Sequence, residues 1–263
     1  PPRTIEELDS MGDKLSSRGP DGLRSISIVP WSQYGPDNAV FTWGWVFGGE
    51  FFDEKHQRLT INDPKNVKAL EWMASYVKKY GVADIVGLSQ IAFGSQERSP
   101  FYSGKVAMMC FYIYGVLDAK MYAPKFDYGL TYMPYPKSGE RHSSWIGGWT
   151  LGLPRGSRRP DLGWEFIRWA CTDPKGTMAV GKFQSLFPGY KKSPYFKTIE
   201  HDPHYGPFLE ILKECRHHRP VMPAQAFCMG ALTRAVDQVF YGRKTAKQAL
   251  DDANREVQNE LDL

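Results

Sequence analysis

Two tryptophans set about a glycine pair, Trp145-Ile146-Gly147-Gly148-Trp149, are the residues whose types and spacing point most directly to chemistry. Adjacent glycines let the backbone approach a ligand closely and leave its N–H groups uncovered, while each indole offers a flat apolar face and one N–H donor. That pairing suits a polyhydroxylated ligand, whose C–H faces pack on rings and whose hydroxyls need oriented donors and acceptors. The bland alternative is that Gly147 and Gly148 turn the chain while Trp145 and Trp149 belong to the core. Two further groups of rings sit where a ligand could reach them. Trp31, Tyr34, Phe41, Trp43, Trp45, Phe47, Phe51 and Phe52 crowd one region up to and beyond Gly48-Gly49, and Phe111, Tyr112 and Tyr114 follow an apolar run just before Gly115. Read as a helix, the first region puts Phe41 and Trp45 on one face and Trp43 on another, so some rings line a core and at least one could face a cleft.

Other chemistry lacks an anchor. G-x-S-x-G, G-x-x-x-x-G-K-[ST], H-E-x-x-H and G-x-G-x-x-G do not occur, which removes the common nucleophile, phosphate-cradle and metal signatures. His201 and His204, like His217-His218, lie in polar segments without a matching third ligand, so neither metal nor cofactor is expected. Carboxylates such as Glu256 and Glu260 fall on a helix face, where solvation is the default, and no acid pair stands out for an enzyme.

A length of 263 residues exceeds what one hydrophobic core usually serves, so one large or two smaller domains are expected. The 33 basic residues outnumber the 29 acidic ones only slightly and are dispersed, leaving no basic stripe for nucleic acid. Residues 106–117, the longest apolar run, are too short to cross a bilayer and are broken by Gly115. Cys110, Cys171, Cys215 and Cys228 never form a C-x-x-C and read as buried small side chains or as one or two disulfides. The opening Pro1-Pro2 leads straight into a helix signature with no signal peptide, which reads as a mature fragment whose upstream part is missing.

Several elements must position these residues. Thr4 with Glu7 makes a capping box for a first helix on Ile5, Leu8, Met11 and Leu15. Residues 25–29 read as a strand. Asp63-Pro64 starts a helix carrying Val67, Leu70, Ala74 and Val77 that ends before Gly81. A strand is expected over residues 106–112, another over 128–133, and a short buried one through Leu151 and Leu153 that ends at Pro154. Helices follow from Pro160, with Leu162, Phe166, Ile167, Trp169 and Ala170 on an apolar face, and from Asp173-Pro174. Further helices run around Phe208 to Cys215, after Pro223, and from a second capping box at Thr245 and Gln248. Polar, Pro/Gly-rich connectors near 136–144 and 191–203 are the expected passages between domains.

Motifs recur along this series in one order: Pro-x-Thr-x-Glu-Glu at residues 2–7, Gly48-Gly49 followed by Asn62-Asp63-Pro64, Phe101-x-x-Gly104-x-x-Ala107-Met108, Tyr128-Gly129 to Met133-Pro134, Gly147-Gly148 to Gly156-Ser157, Arg219-Pro220-x-x-Pro223, and Gly242-x-x-Thr245-Ala246-x-x-Ala249-Leu250. Together they resemble the extracellular solute-binding proteins of family 1, the maltose-binding-protein-like receptors of sugar ABC transporters. The resemblance implies an α/β, two-lobe periplasmic-binding-protein-like (type II) fold with discontinuous domains, here a fragment lacking most of the N-terminal lobe. Residues 1–143 and 202–263 would belong to the C-terminal lobe and 144–201 to the N-terminal lobe.

By the same resemblance, the chain is the substrate-binding component of an ABC transporter. It captures a sugar or oligosaccharide between its lobes and delivers it to permease subunits, without catalysis or cofactor. Family cleft residues fall around Asn38 to Trp45, with Asn38, Trp43 and Trp45 the candidates, the aromatic platform falls on Phe111, Tyr112 and Tyr114, with Tyr114 the best placed to stack, and the central loop falls on Trp145, Gly147, Gly148 and Trp149. A stacking aromatic of some members falls near Phe227 or Met229, where this sequence departs. The implied protein is a monomer, periplasmic or extracellular, touching the membrane only through the permease or a lipid anchor. Two alternatives stay open: a glycoside hydrolase, which needs two carboxylates at a fixed separation, and a receptor for a polyol phosphate or polyamine, which calls for clustered Arg or acidic residues.

Overall fold

Side-chain caps written in the sequence at Thr4, Asp63, Asp173 and Thr245 start four of the helices. In this computed structural model, which describes all residues except 32–34, 91–98 and 140, helix α1 (Ile5–Leu15) begins at Thr4. The Thr4 hydroxyl accepts from the Glu7 backbone N–H at 3.2 Å, while the Glu7 carboxylate accepts from the Arg3 backbone N–H at 2.6 Å. Tyr34 of the aromatic patch and Glu140 of the first connector lie outside the described residues. Strand β1 (Ser17–Gly19) pairs antiparallel with β2 (Gly22–Ile28). Helix α2 (Pro36–Val46), the ribbon β3 (Phe52–Asp53) and β4 (Arg58–Leu59), then α3 (Pro64–Tyr80) and α4 (Val82–Gln90) follow. Asp63 caps α3 by accepting from the Lys65 N–H, and Gly81, at φ +85°, ends it as expected.

Strand β5 (Val106–Met108) returns beside β2 in parallel, Ile26 opposite Val106 and Ile28 opposite Met108. It is shorter than the sequence suggested, stopping at Met108 rather than residue 112. The chain then forms α5 (Ile113–Tyr122), β6 (Trp145–Ile146), α6 (Pro160–Thr172), α7 (Pro174–Gln184), α8 (Tyr195–Ile199), α9 (Gly206–Glu214), β7 (His217–His218), α10 (Gln225–Phe240) and α11 (Ala246–Leu261). Both capping-box bonds expected at Thr245 and Gln248 are present in α11. All four cysteines are free thiols. No helix among the described residues is long and apolar enough to cross a membrane.

The chain packs as two units, each assembled from separated stretches. The first comprises Pro1–Cys110, Thr131–Ile146 and Glu214–Leu263; the second comprises Phe111–Leu130 and Gly147–Lys213. The boundaries of these units differ from those expected at 143/144 and 201/202. Residues 111–130 join the second unit because Val116 of α5 is buried against Tyr195, Ile199 and Tyr205, and Lys120 Nζ reaches Asp202 Oδ2 at 3.3 Å. Asp202 in turn accepts from the backbone N–H groups of His204 and Tyr205.

The first unit holds the larger core. Phe41, Trp43, Phe51, Leu70, Leu232 and Leu250 are all fully buried, drawing α2, α3, α10 and α11 together with the ribbon. Polar bonds fix the ribbon to α11: Asn254 Oδ1 accepts from the Ile61 N–H at 3.0 Å and Gln258 Oε1 from the Leu59 N–H at 3.2 Å. Asn66 is buried, and its Nδ2 donates to the carbonyls of Glu50 at 2.7 Å and of Thr60 and Ile61 at 3.2 Å.

Two expectations for the second unit are overturned. The apolar face of α6 is exposed rather than covered, with Leu162, Phe166 and Trp169 open and Ala170 its only buried residue. The strand expected through Leu151 and Leu153 is absent. A strand exists only where a neighbour takes up its backbone N–H and C=O groups, and among the described residues none pairs with 147–157. For the same reason residues 128–133, in the stretch that returns to the first unit, form no strand, and only Tyr135 makes an isolated bridge, to Thr4.

The Asn66 clasp generates a stability test. A Cβ added at Gly49 would overlap the Asn66 amide oxygen and lie 3.1 Å from the Asn66 backbone nitrogen, whereas one added at Gly87 in α4 meets nothing within 4 Å. Urea denaturation should find Gly49→Ala destabilised by about 1–3 kcal/mol and Gly87→Ala unchanged or stabilised by up to about 1 kcal/mol. Equal effects at the two positions would contradict the packing described for Asn66.

Candidate functional site

Pro36 at the start of α2 follows Gly35 at φ +86°, so the chain turns sharply into the helix and presents Asp37 and Asn38 in its first turn. The aromatic side chains further along α2 are buried, and they anchor that turn. Strand β6 lies beside it through Trp145, whose indole N–H donates to the Thr42 hydroxyl at 3.0 Å. Thr42 donates to the Asn38 carbonyl at 2.8 Å, and the Asn38 amide donates to Asp37 Oδ2 at 3.2 Å.

Parallel pairing of β6 with β7 sets Trp145 opposite His217, and two residues farther on the Arg219 guanidinium lies 5.5 Å from the centre of the Trp145 ring. Arg219 Nη1 also approaches Met229 Sδ at 3.9 Å on α10. Asp37, Asn38, Thr42, Trp145 and Arg219 are all half-buried, so a carboxylate, an amide, a hydroxyl, an indole and a guanidinium converge where solvent still enters. Burial raises the Asp37 carboxyl above its usual range; nearby backbone N–H groups and then Arg219 oppose that shift. Cys228 of α10 is buried, and burial followed by the Asp37 charge pushes its thiol up to about 12.

Of the ring and amide positions expected from the sequence, Asn38 and Trp145 meet in this cluster. Trp43 and Trp45 do not join it. Trp43 is 0% exposed, donates its indole N–H to the Pro30 carbonyl at 2.9 Å and packs on Trp72. Trp45 is 2% exposed, held between Phe51 and the His217 ring, which lies parallel to it at 5.2 Å. Helix α2 is covered on more than one side, so rings pointing in different directions are all buried. Thr42 lies inside the stretch from Asn38 to Trp45 on which the resemblance placed cleft residues, whereas Asp37 and Arg219 lie outside the expected positions. Asp37 next to a helix-starting proline and Arg219 in the Arg-Pro-x-x-Pro motif were the available signals.

A separate cavity of about 560 Å³ in the first unit is lined by Trp45, Phe52, His142, Glu214, His217 and His218 among others. There His142 Nδ1 pairs with Glu214 Oε2 at 2.7 Å and its ring stacks on Tyr132 at 3.9 Å. Among the described residues no group of His, Cys, Asp or Glu is arranged to hold a metal ion.

In the second unit Tyr112 stands at the N-cap of α5 and its ring stacks on that of Tyr114 at 6.1 Å and 17°. The Tyr112 hydroxyl donates to Asp118 Oδ2 at 3.4 Å, and burial raises the Asp118 carboxyl. Tyr114 is half-open to solvent, whereas Phe111 packs against Tyr128. Gly147, Gly148 and Trp149 are exposed, and a Cβ at Gly148 would meet nothing within 4 Å, so packing does not require that glycine.

The raised Asp37 carboxyl makes a signed prediction. Folding disfavours its charged form, so the native state gives up stability as pH rises from the ordinary carboxylate range through the raised native value. Asp37→Asn should therefore melt higher than the parent at pH 7, with the gain disappearing at pH 3, when the parent carboxyl is protonated. A difference independent of pH would contradict burial as the dominant influence.

The bacterial extracellular solute-binding protein family matches residues 2–176. The mannitol-binding protein of Pseudomonas aeruginosa is 26% identical over 183 residues, covering 67% of this chain and 41% of that protein. Two solved structures of CpMnBP1, with mannobiose and with mannotriose bound, are 25% and 26% identical with TM-scores of 0.83 and 0.85; each match covers 98% of this chain and 64% or 66% of the other. Maltose-bound MalE3 of T. maritima, at 21% identity, a TM-score of 0.78 and coverage of 99% and 66%, shares the fold. The chain thus spans under half of the mannitol-binding protein and about two thirds of the structural neighbours. Over the part of those sugar-bound structures that it covers, this chain has their α/β fold.

Proposed function

The chain belongs to the bacterial extracellular solute-binding protein family, and from that premise we propose that it binds a sugar or short oligosaccharide for import by an ABC transporter. Family and structural neighbours are binding proteins and not enzymes, which sets aside the glycoside hydrolase reading. The observation that carries the proposal is the half-buried convergence of Asp37, Asn38, Trp145 and Arg219 on the first unit. Hydroxyls of a sugar donate to carboxylates, accept from guanidinium and amide N–H groups, and leave C–H faces to pack on rings. The stacked Tyr112 and Tyr114, with Gly147, Gly148 and Trp149, are the proposed contacts of the second unit. Mannobiose, mannotriose and mannitol, named for the relatives, are the first candidates to test. Delivery to permease subunits, action as a monomer, and a periplasmic or extracellular place, with or without a lipid anchor, complete the proposal.

Calorimetric titration with mannobiose tests it. Losing a ring on which a sugar stacks removes about 1–3 kcal/mol, roughly tenfold to a hundredfold in affinity. Tyr114→Ala and Trp149→Ala should weaken binding by that factor and leave the melting temperature within about 2 °C of the parent. Variants that melt far lower while their folded fraction binds normally would return both rings to a packing role.

A further inference from the structure

We propose that the bond between His142 and Glu214 locks the register of the β6–β7 pairing, which makes these two positioning residues for Trp145 and Arg219 of the candidate site. The inference rests on the sugar-binding reading above for its effect on affinity alone. His142 Nδ1 meets Glu214 Oε2 at 2.7 Å. The two residues are 72 apart in sequence, the same offset that sets Trp145 opposite His217 and Ile146 opposite His218. The side-chain bond therefore continues the parallel register of the ladder on the upstream side of both strands. His142 is held in place for it twice over: its backbone is left-handed, at φ +58°, and its ring lies on that of Tyr132 at 3.9 Å and 15°. Histidine is among the residues that adopt this conformation, at a cost the surrounding structure must offset.

Burial alone does not choose this register. A ladder of two residues per strand is marginal by itself. Residues 215–219 alternate half-buried and exposed, so Cys215, His217 and Arg219 each offer Trp145 a neighbour on the same face. A slip of two residues preserves that alternation. It also moves one strand along the other by about 6.6 Å, which breaks the His142–Glu214 bond and carries the Arg219 guanidinium from its place 5.5 Å from the centre of the Trp145 ring. Anchors on α2 act at the ladder itself, Thr42 on Trp145 and Trp45 on His217. The His142–Glu214 bond adds a second point of attachment to each strand, and two points fix a direction where one leaves a pivot. Both side chains line the cavity of about 560 Å³ and reach solvent, 28% and 51% exposed, so the bond adds little to global stability and acts through geometry.

Amide hydrogen exchange and calorimetric titration with mannobiose test the lock in the parent, His142→Asn, Glu214→Ala, their double variant, Glu214→Gln and Arg219→Gln. Asparagine adopts the left-handed backbone but has a shorter reach than histidine. His142→Asn and Glu214→Ala should each speed exchange of the β6 and β7 amides about tenfold, with the amides of α3 and α10 as in the parent. The double variant should exchange no faster than either single one, because all three lack the same bond. Glu214→Gln keeps an oxygen that accepts from an imidazole N–H and should stay within about twofold of the parent. Affinity for mannobiose should fall about fivefold to tenfold in each variant that breaks the bond and recover in Glu214→Gln. Unchanged exchange in β6 and β7, or acceleration spread evenly over the first unit, would overturn the lock. Faster exchange with affinity unmoved would overturn its part in positioning Arg219. If His142→Asn does not fold, Glu214→Ala, at the exposed end of α9, decides by the same readouts. A parent that does not bind mannobiose, or binds it equally well after Arg219→Gln, would overturn the site reading above, and exchange would still decide the lock.

Discussion

Burial of the aromatic side chains of α2 is the constraint on which the first unit depends. Phe41, Trp43 and Trp45 come from an 11-residue helix, and each is at most 2% exposed. Taking rings of this size out of water contributes on the order of several kcal/mol apiece before chain entropy is subtracted. That contribution holds α2 against α3, α10 and the ribbon and leaves the helix little freedom to rotate or slide. Its first turn, with Asp37 and Asn38, is therefore presented by a rigid support. Polar groups that must meet a ligand in a set geometry gain from such a support, because less ordering remains to be done on binding.

Trp145 links this core to the chemistry. One side of the indole belongs to the core cluster, its N–H is used by Thr42, and the Arg219 guanidinium lies over the ring. The parallel register of β6 and β7 brings Arg219 there, since Trp145 pairs with His217 across a separation in sequence that no local pattern could bridge. A short pairing of two residues from each strand thus does the positioning of a much larger element. The same α2 rings that looked like ligand platforms serve as the foundation, and the groups at the edge of that foundation are charged or amidic.

The second unit is held differently. Its core is small, built on Val116, Tyr195, Ile199 and Tyr205, while Leu162, Trp164, Phe166 and Trp169 stand exposed on α6. An amphipathic helix derives most of its stability from covering its apolar face, so α6 depends more on its proline start and on its packing with α7 than α3 does on its own caps. The hydrogen bonds made by Asp202 with His204, Tyr205 and Lys120 add local order where hydrophobic burial is limited.

What the sequence determined by itself was whatever depends on neighbours along the chain. The caps at Thr4, Asp63, Asp173 and Thr245 and the stop at Gly81 involve groups within a turn or two of each other, so residue type and spacing suffice. The ordered series of motifs also made the family legible. Tertiary structure alone decided the rest, because strands and sites need partners remote in sequence. Leu151 and Leu153 carry a strand pattern, but among the described residues no strand pairs with them, so the strand does not form. Trp43 and Trp149 are the same residue type beside similar glycines, yet one is 0% and the other 91% exposed, according to which elements pack against each. Arg219 comes to lie over the Trp145 ring only because β7 pairs with β6 and α10 packs near α2, and no spacing in the sequence encodes those encounters.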